Sequence, residues 1–212
     1  MGHVTVFNWL NRYVRLLNDH AATLRPDVGA AKWHADEMKV KFGAEWRWLW
    51  HVMDRQTRFL LVSKVTDSRD LADAKGVFSA AREQAGGATP AVIVTDGLPA
   101  YIDAAKRVFG TGMERTPKHI REIHLTDSRS NNNMVERLNS TVRGRHKNVR
   151  GLKSPAGPMV AGQAAYYNLI RSHSALGMSP GAAAGLPVPT EGNRWAALIR
   201  QAANQNETEA KT

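Results

Sequence analysis

The order of apolar patterns along this 212-residue chain predicts an α/β fold, a mixed five-stranded sheet with helices on both faces. Three observations carry that expectation. Residues 33–65 hold three strand-like runs separated by short turns. Residues 91–95 form a brief apolar, β-branched run that ends at Asp96-Gly97, the mark of a strand buried on both faces. Helical periods lie on either side of that run.

Each element follows from local spacing. Residues 5–24 read as a helix with Val6, Leu10, Tyr13, Leu16 and Leu17 at helical intervals, and Arg25-Pro26-Asp27-Val28-Gly29 interrupts it. This helix fits either the remnant of a helix-turn-helix DNA-binding module or a first packing helix. From residue 32 the period becomes two. His34, Asp36, Met38 and Val40 share one strand face, and residues 41–44 turn the chain. Residues 45–53 place Trp46, Trp48 and Trp50 on one face, as a half-buried antiparallel strand requires. We assign those rings to the core rather than to a base-stacking platform. After a turn at 54–57, residues 58–65 form a third strand.

A helix follows, with Leu71, Ala74, Phe78, Ala81 and Ala85 on its apolar face and Gly86-Gly87 at its end. Pro99 opens the next helix, which runs to about Phe109 before Gly110. A short strand near 121–125, a polar loop, a helix holding Glu136 and a last helix over about 158–174 complete the order. From Thr190 the chain is polar, with a brief amphipathic stretch at 195–199. Three antiparallel strands, a helix, a buried strand, a helix, a short strand and then helices match the RNase H-like sandwich. The expected division is an N-terminal helical segment (1–29), an RNase H-like α/β domain (30–186) and a polar C-terminal tail (187–212).

Lys and Arg total 29 against 19 Asp and Glu, a formal net charge of +10, which favours a polyanionic partner such as nucleic acid. With no cysteine, a disulfide scaffold, a thiolate zinc site and a cysteine nucleophile are excluded. No apolar run approaches the roughly 20 residues that span a bilayer, so no membrane partner is expected and the chain is expected in the cytoplasm.

Against that basic background, three carboxylates stand out. Asp36 lies within the first strand, Asp96 ends the buried strand, and Glu136 sits on a helix. In the predicted sheet the first and buried strands are neighbours, which brings Asp36 beside Asp96. Singly, each acid fits a turn or a solvated surface. Together they suit two hard cations about 4 Å apart, with Asp36 bridging and Asp96 and Glu136 each holding one. On the Glu136 helix, Val135, Leu138 and Val142 form an apolar stripe, while Asn132, Glu136, Asn139 and Arg143 share an adjacent face. Residues 143–150 continue with dense positive charge. Asn132, Arg137, Asn139, Arg143, Arg145, Lys147, Arg150 and Lys153 are therefore the candidate DNA contacts. Glu37 points to the opposite strand face and is not expected as a ligand. Asp54, Asp103 and Asp127 fit turn, surface and loop roles. Without a cysteine or a His-x-x-x-His pair, His34, His119, His124, His146 and His173 make no zinc site. His173 fits either phosphate orientation or packing.

The segments Trp33-His34-Ala35-Asp36-Glu37, Thr95-Asp96-Gly97-Leu98-Pro99-Ala100-Tyr101 and Asn132-Asn133-Met134-Val135-Glu136-Arg137-Leu138-Asn139 closely resemble the catalytic core of DDE-type insertion-sequence transposases. Tyr167-Asn168-Leu169-Ile170-Arg171-Ser172-His173, with Leu176 and Pro180, resembles the segment that closes such domains. The resemblance covers about residues 30–186. It implies that Asp36, Asp96 and Glu136 are a metal-binding triad for two Mg²⁺ or Mn²⁺ ions. It further implies cleavage at transposon ends and joining of the 3′-hydroxyl to target DNA, by a homodimer associated with a prokaryotic nucleoid. An RNase H-like nuclease without strand transfer and a non-catalytic DNA-binding relic are the alternatives. Two departures from the pattern are a start in the last helix of the expected helix-turn-helix and a longer interval between Asp96 and Glu136, which predicts an expanded loop at 110–119.

Overall fold

Strand β1 (Lys32–Phe42) is the middle strand of a five-stranded sheet in the computed structural model, which describes residues 2–110, 117–121, 132–148, 152–154 and 158–209. Strand β2 (Glu45–Asp54) pairs antiparallel with β1 through a two-residue turn, with Phe42 opposite Glu45. Gly43 takes φ +60° in that turn, a value glycine adopts without a Cβ penalty. Strand β3 (Leu60–Thr66) continues the antiparallel meander. On the other side of β1, β4 (Val92–Thr95) and β5 (Lys118–Arg121) run parallel, giving the order β3-β2-β1-β4-β5.

The helices are α1 (His3–Thr23), α2 (Leu71–Gln84), α3 (Pro99–Phe109), α4 (Asn133–Asn148), α5 (Pro158–Ala165), α6 (Pro180–Ala183) and α7 (Arg194–Glu209). A π-helical turn, Tyr166–Ile170, follows α5 directly. Asp70 caps α2 by accepting from the Asp73 backbone N–H, and Pro99 starts α3. The period of two along β1 decides which helices cover which face. Trp33 and Ala35 enter a core with Phe78, Ala81, Tyr101 and Phe109 of α2 and α3. Met38, Val40 and Phe42 enter a second core with Val135, Leu138 and Val142 of α4. The fold class and the α4 stripe are as the sequence predicts.

Five details differ from the sequence expectation. Strand β5 starts three residues before the predicted 121–125 strand, because pairing with β4 (Val92 opposite Lys118) sets its position rather than its own weak pattern. Residues 122–125 and most of the expected expanded loop lie outside the described residues. The predicted 158–174 helix stops at Ile170. There the Asn168 side chain accepts from Leu60 N–H and donates to Leu60 C=O (2.8 and 2.9 Å), and Arg171 turns to extended backbone.

The expected polar tail contains α7, which buries Leu198 and Ala202 completely and sets Gln205 Oε1 2.6 Å from His20 Nδ1 on α1. On α1 the buried residues are Val14, Leu17 and His20, whereas Val6, Leu10 and Tyr13 are exposed. The three tryptophans do share a face, but their burial is graded. Trp50 is fully buried and Trp46 is 53% exposed at the hairpin end, with the Lys39 and Lys41 ammonium groups 5.5 and 5.9 Å from its ring centre. Trp46 is not a core residue.

Candidate active site

The parallel register of β1 and β4 builds the site. His34 is paired with Val94, so two residues further along each chain Asp36 comes level with Asp96, just beyond the end of β4. One carboxylate oxygen from each of Asp36, Glu37 and Asp96 lies within 4.8 Å of the others. The expected neighbours Asp36 and Asp96 are thus brought together, and Glu37 joins them.

Glu37 does leave β1 on the opposite face, as period two requires, but there its oxygens are occupied. Tyr101 O–H donates to Oε2 at 2.8 Å, and Arg69 donates to Oε1 at 3.4 Å. Asp36 accepts a single described bond, from Asn139 Nδ2 to Oδ2 at 2.7 Å. Asp96 Oδ1 accepts from Leu98 N–H at 3.0 Å, which folds the Asp96-Gly97 turn onto the start of α3. Among the described residues, Asp36 and Asp96 each keep one oxygen outside these bonds, and Glu37 keeps none.

Behind Asp36 stand two buried polar chains. His51 Nδ1 lies 2.6 Å from Asn139 Oδ1, and Asn139 passes its amide donor to Asp36. Because the amide N–H₂ faces a carboxylate, its oxygen faces His51, and the His51 Nδ1 must carry the proton. Two residue pairs further from the hairpin turn, His34 Nδ1 lies 3.1 Å from Asn132 Oδ1, and Asn132 Nδ2 donates to the Ala35 carbonyl at 3.1 Å. Burial lowers both histidines to about 4, so both imidazoles are neutral at pH 7.

The acids are perturbed in the other direction. Burial, then the charges of Glu37 and Asp96, raise Asp36 to about 7, and the more distant Glu136 charge adds to the shift. Burial also raises Glu37, against the lowering effect of its bond from Tyr101. An all-oxygen donor set whose main member resists ionisation suits a hard divalent cation, which would offset both the burial and the repulsion.

Glu136 is exposed on α4, one turn before Asn139, and lies outside the 4.8 Å group. Asn132 and Asn139, expected to contact phosphate, are 3% and 2% exposed and are committed to His34, Ala35, His51 and Asp36. That corrects their assignment as DNA contacts: the helical face they share packs onto β1 and β2 in the interior of the sheet. Arg137, Arg143, Lys147 and Lys153 are exposed, and Arg145 is half-buried with its guanidinium 4.6 Å from the Tyr166 ring centre. Arg150 lies outside the described residues. A cavity of about 860 Å³ between α1, β3 and α5 contains none of the three candidate acids.

The sequence reading passed over His51, Asn139 as a holder of Asp36, and the Glu37–Tyr101 bond. The first was within reach. Once Phe42 is paired with Glu45, counting six residues back along β1 and six forward along β2 sets Asp36 opposite His51.

A mixed sheet in the order β3-β2-β1-β4-β5, helices on both faces and acids on adjacent parallel strands, one within β1 and one just past β4, define an RNase H-like α/β domain. The family model for the DDE domain of IS240-type transposases matches residues 30–173, and the chain belongs to that family. No curated protein matches it in sequence. Among solved structures, it is similar to a chain of the simian T-cell lymphotropic virus intasome in complex with the PP2A regulatory subunit B56 gamma. That match has TM-score 0.56 and 16% identity, and covers 80% of this chain and 60% of the other. It is also similar to the HTLV-2 integrase catalytic core domain in complex with magnesium. The trimeric form gives TM-score 0.56 and 15% identity (76% and 99% covered), and the dimeric form 0.53 and 14% (74% and 95%). At these identities the likeness is one of fold. Among the described residues, no helix is long and apolar enough to cross a membrane.

Proposed function

We propose that this chain is a DNA transposase that cuts transposon ends and transfers the freed 3′-hydroxyl to target DNA. The observation that carries this is the pairing of Asp36 with Asp96, each with an oxygen outside the hydrogen bonds made among the described residues, in a DDE-domain fold. Asp36, Asp96 and Glu136 are the proposed ligands of two Mg²⁺ or Mn²⁺ ions, with residues 30–186 as the catalytic unit. Such ions would supply charge neutralisation at the scissile phosphate and a more acidic attacking hydroxyl.

The chain's own residues set the geometry. Asn139, held by the His51 N–H, keeps one Asp36 oxygen fixed and leaves the other facing the site. The Asp96 turn is fixed by Leu98 N–H. Glu37, locked by Tyr101 and Arg69, holds α3 against the cluster and keeps like charge nearby, which makes cation binding more favourable. Glu136 rides on the same helix as Asn139, so α4 carries both the third acid and the group that orients the first. Arg137, Arg143, Arg145, Lys147, Arg150 and Lys153 are proposed to follow the DNA backbone. Pairing of two DNA ends by a homodimer fits the same reading, as does work on nucleoid DNA.

The test uses labelled DNA ends taken from the sequence flanking the gene, an unlabelled target plasmid and Mg²⁺. Wild-type protein should give both cut and joined strands, and Asp36→Asn, Asp96→Asn and Glu136→Gln neither. Cut strands that never join would reassign the chain as a nuclease, and full activity of Glu136→Gln would remove that residue from the triad.

A further inference from the structure

A second cluster of charge lies on the β2 side of α4, across β1 from Asp96. Three arginines, Arg58 from the β2–β3 turn, Arg137 from α4 and Arg171 after the π-helical turn, line one cavity of about 220 Å³ with Asn133, Thr141 and His173. No carboxylate lines it, and among the described residues none of the three arginines forms an ion pair. Like charges converging on one cavity repel unless an anion joins them. Room for roughly seven waters is enough for one phosphate group with its ester arms.

Two further observations point the same way. Arg58 has φ +58°, the positive φ of a non-glycine residue, which L-residues disfavour and which persists where surrounding structure or function imposes it. A glycine would relax that turn, yet an arginine occupies it. His173 presents a buried Nε2 with no hydrogen-bond partner among the described residues, and its ring is held edge-on against Tyr167 at 4.7 Å. A donor-rich, acid-free cavity with strained and unpartnered groups is organised for an acceptor ligand.

We propose that Arg58, Arg137 and Arg171, with His173, form a clamp for one phosphate group, supplied by a DNA backbone lying across α4. Planar guanidinium groups suit this because each can give two parallel N–H bonds to phosphate oxygens. The clamp rests on the DNA-transposase reading for its source of phosphate, but not for its chemistry. It adds Arg58 and Arg171, from two loops remote in sequence, to a surface otherwise assigned to α4 and the residues that follow it.

The experiment measures binding of a labelled duplex to the full chain by anisotropy, without divalent metal, over a salt series. Wild type is compared with Arg58→Gln, Arg171→Gln and the triple variant that adds Arg137→Gln. One shared phosphate predicts that each single change weakens binding by about ten-fold and lowers the slope of log K against log salt by about 0.9. The triple variant then lowers the slope little further. A triple-variant drop near 2.7, as for three independent contacts, or no drop at all, overturns the clamp. Calorimetric titration with inorganic phosphate separates the sources. Phosphate binding lost in Arg58→Gln while the DNA slope stays unchanged would make free phosphate the ligand and overturn the DNA source. Arg58→Gly should raise the melting temperature while losing phosphate binding, and a lowered melting temperature would make Arg58 structural and overturn its role. A chain that cuts no DNA but shows the shared slope refutes the catalytic reading alone. One that cuts DNA with unchanged slopes refutes the clamp alone.

Discussion

Asp36 and Glu37 are consecutive on β1, and the two faces of the strand hold them in different ways. On the α4 face, Asp36 meets a neutral chain of Asn139 and His51 that engages one oxygen. On the α3 face, Glu37 meets a phenol and a guanidinium that engage both. Burial raises both acids, so burial does not distinguish them. The difference lies in what remains available. A carboxylate held by one amide is fixed yet open, whereas one held at both oxygens is a structural tie.

The sharpest way to break that comparison is to neutralise each acid in turn. Asp36→Asn should reduce metal-dependent cleavage by about three orders of magnitude, a loss of the size seen when one preorganised charge-stabilising group is removed. Glu37→Gln should cost about ten-fold, within the range for residues behind a metal ligand. Equal losses in a cleavage time course would show that Glu37 is itself a ligand.

The same Asp36→Asn change should stabilise the protein in metal-free buffer. With a folded value near 7 against a reference of 3.8, the Asp36 contribution is fully present below 3.8 and lost as pH rises through 7. Urea denaturation should therefore find Asp36→Asn more stable by roughly 3 kcal/mol at pH 7.5, with the gain vanishing toward pH 4. Added Mg²⁺ should raise the melting temperature of wild type and not of the variant.

His51 has the opposite sign. Its folded value near 4 lies below 6.5, so its contribution is present above 6.5 and lost as pH falls through 4. The stability difference between wild type and His51→Gln should shrink by about 3 kcal/mol over that window. A flat difference would mean that the imidazole is not buried neutral.

Smaller effects sharpen the α3 face. Tyr101→Phe should cost about 1–3 kcal/mol in denaturant unfolding, because a buried Glu37 oxygen loses its donor. Further out on that face, Trp46→Ala should change stability by about 0.5 kcal/mol or less, as for surface sites generally. Trp50→Ala should cost about 3–5 kcal/mol. A large loss at Trp46 would show that the hairpin end is covered by something else.

The sheet order was legible because β1, β2 and β4 carry strong period-two or wholly apolar patterns, and the α4 stripe because Val135, Leu138 and Val142 keep helical spacing. Weakly patterned elements were not. Strand β5 is placed by hydrogen bonds to β4, and α7 by docking on α1 through Leu198, Ala202 and Gln205. The sequence by itself determined the fold class, since the period of each element is a local property carried by residue type, and the order of those elements matched a topology in which β1 and β4 are neighbours, so the meeting of Asp36 with Asp96 could be expected. Only the tertiary structure decided that Glu37 reaches the same cluster, that Asn132 and Asn139 turn inward, and that three distant arginines share a cavity. Those outcomes depend on side chains converging from elements far apart in the chain, and no spacing within one element encodes them.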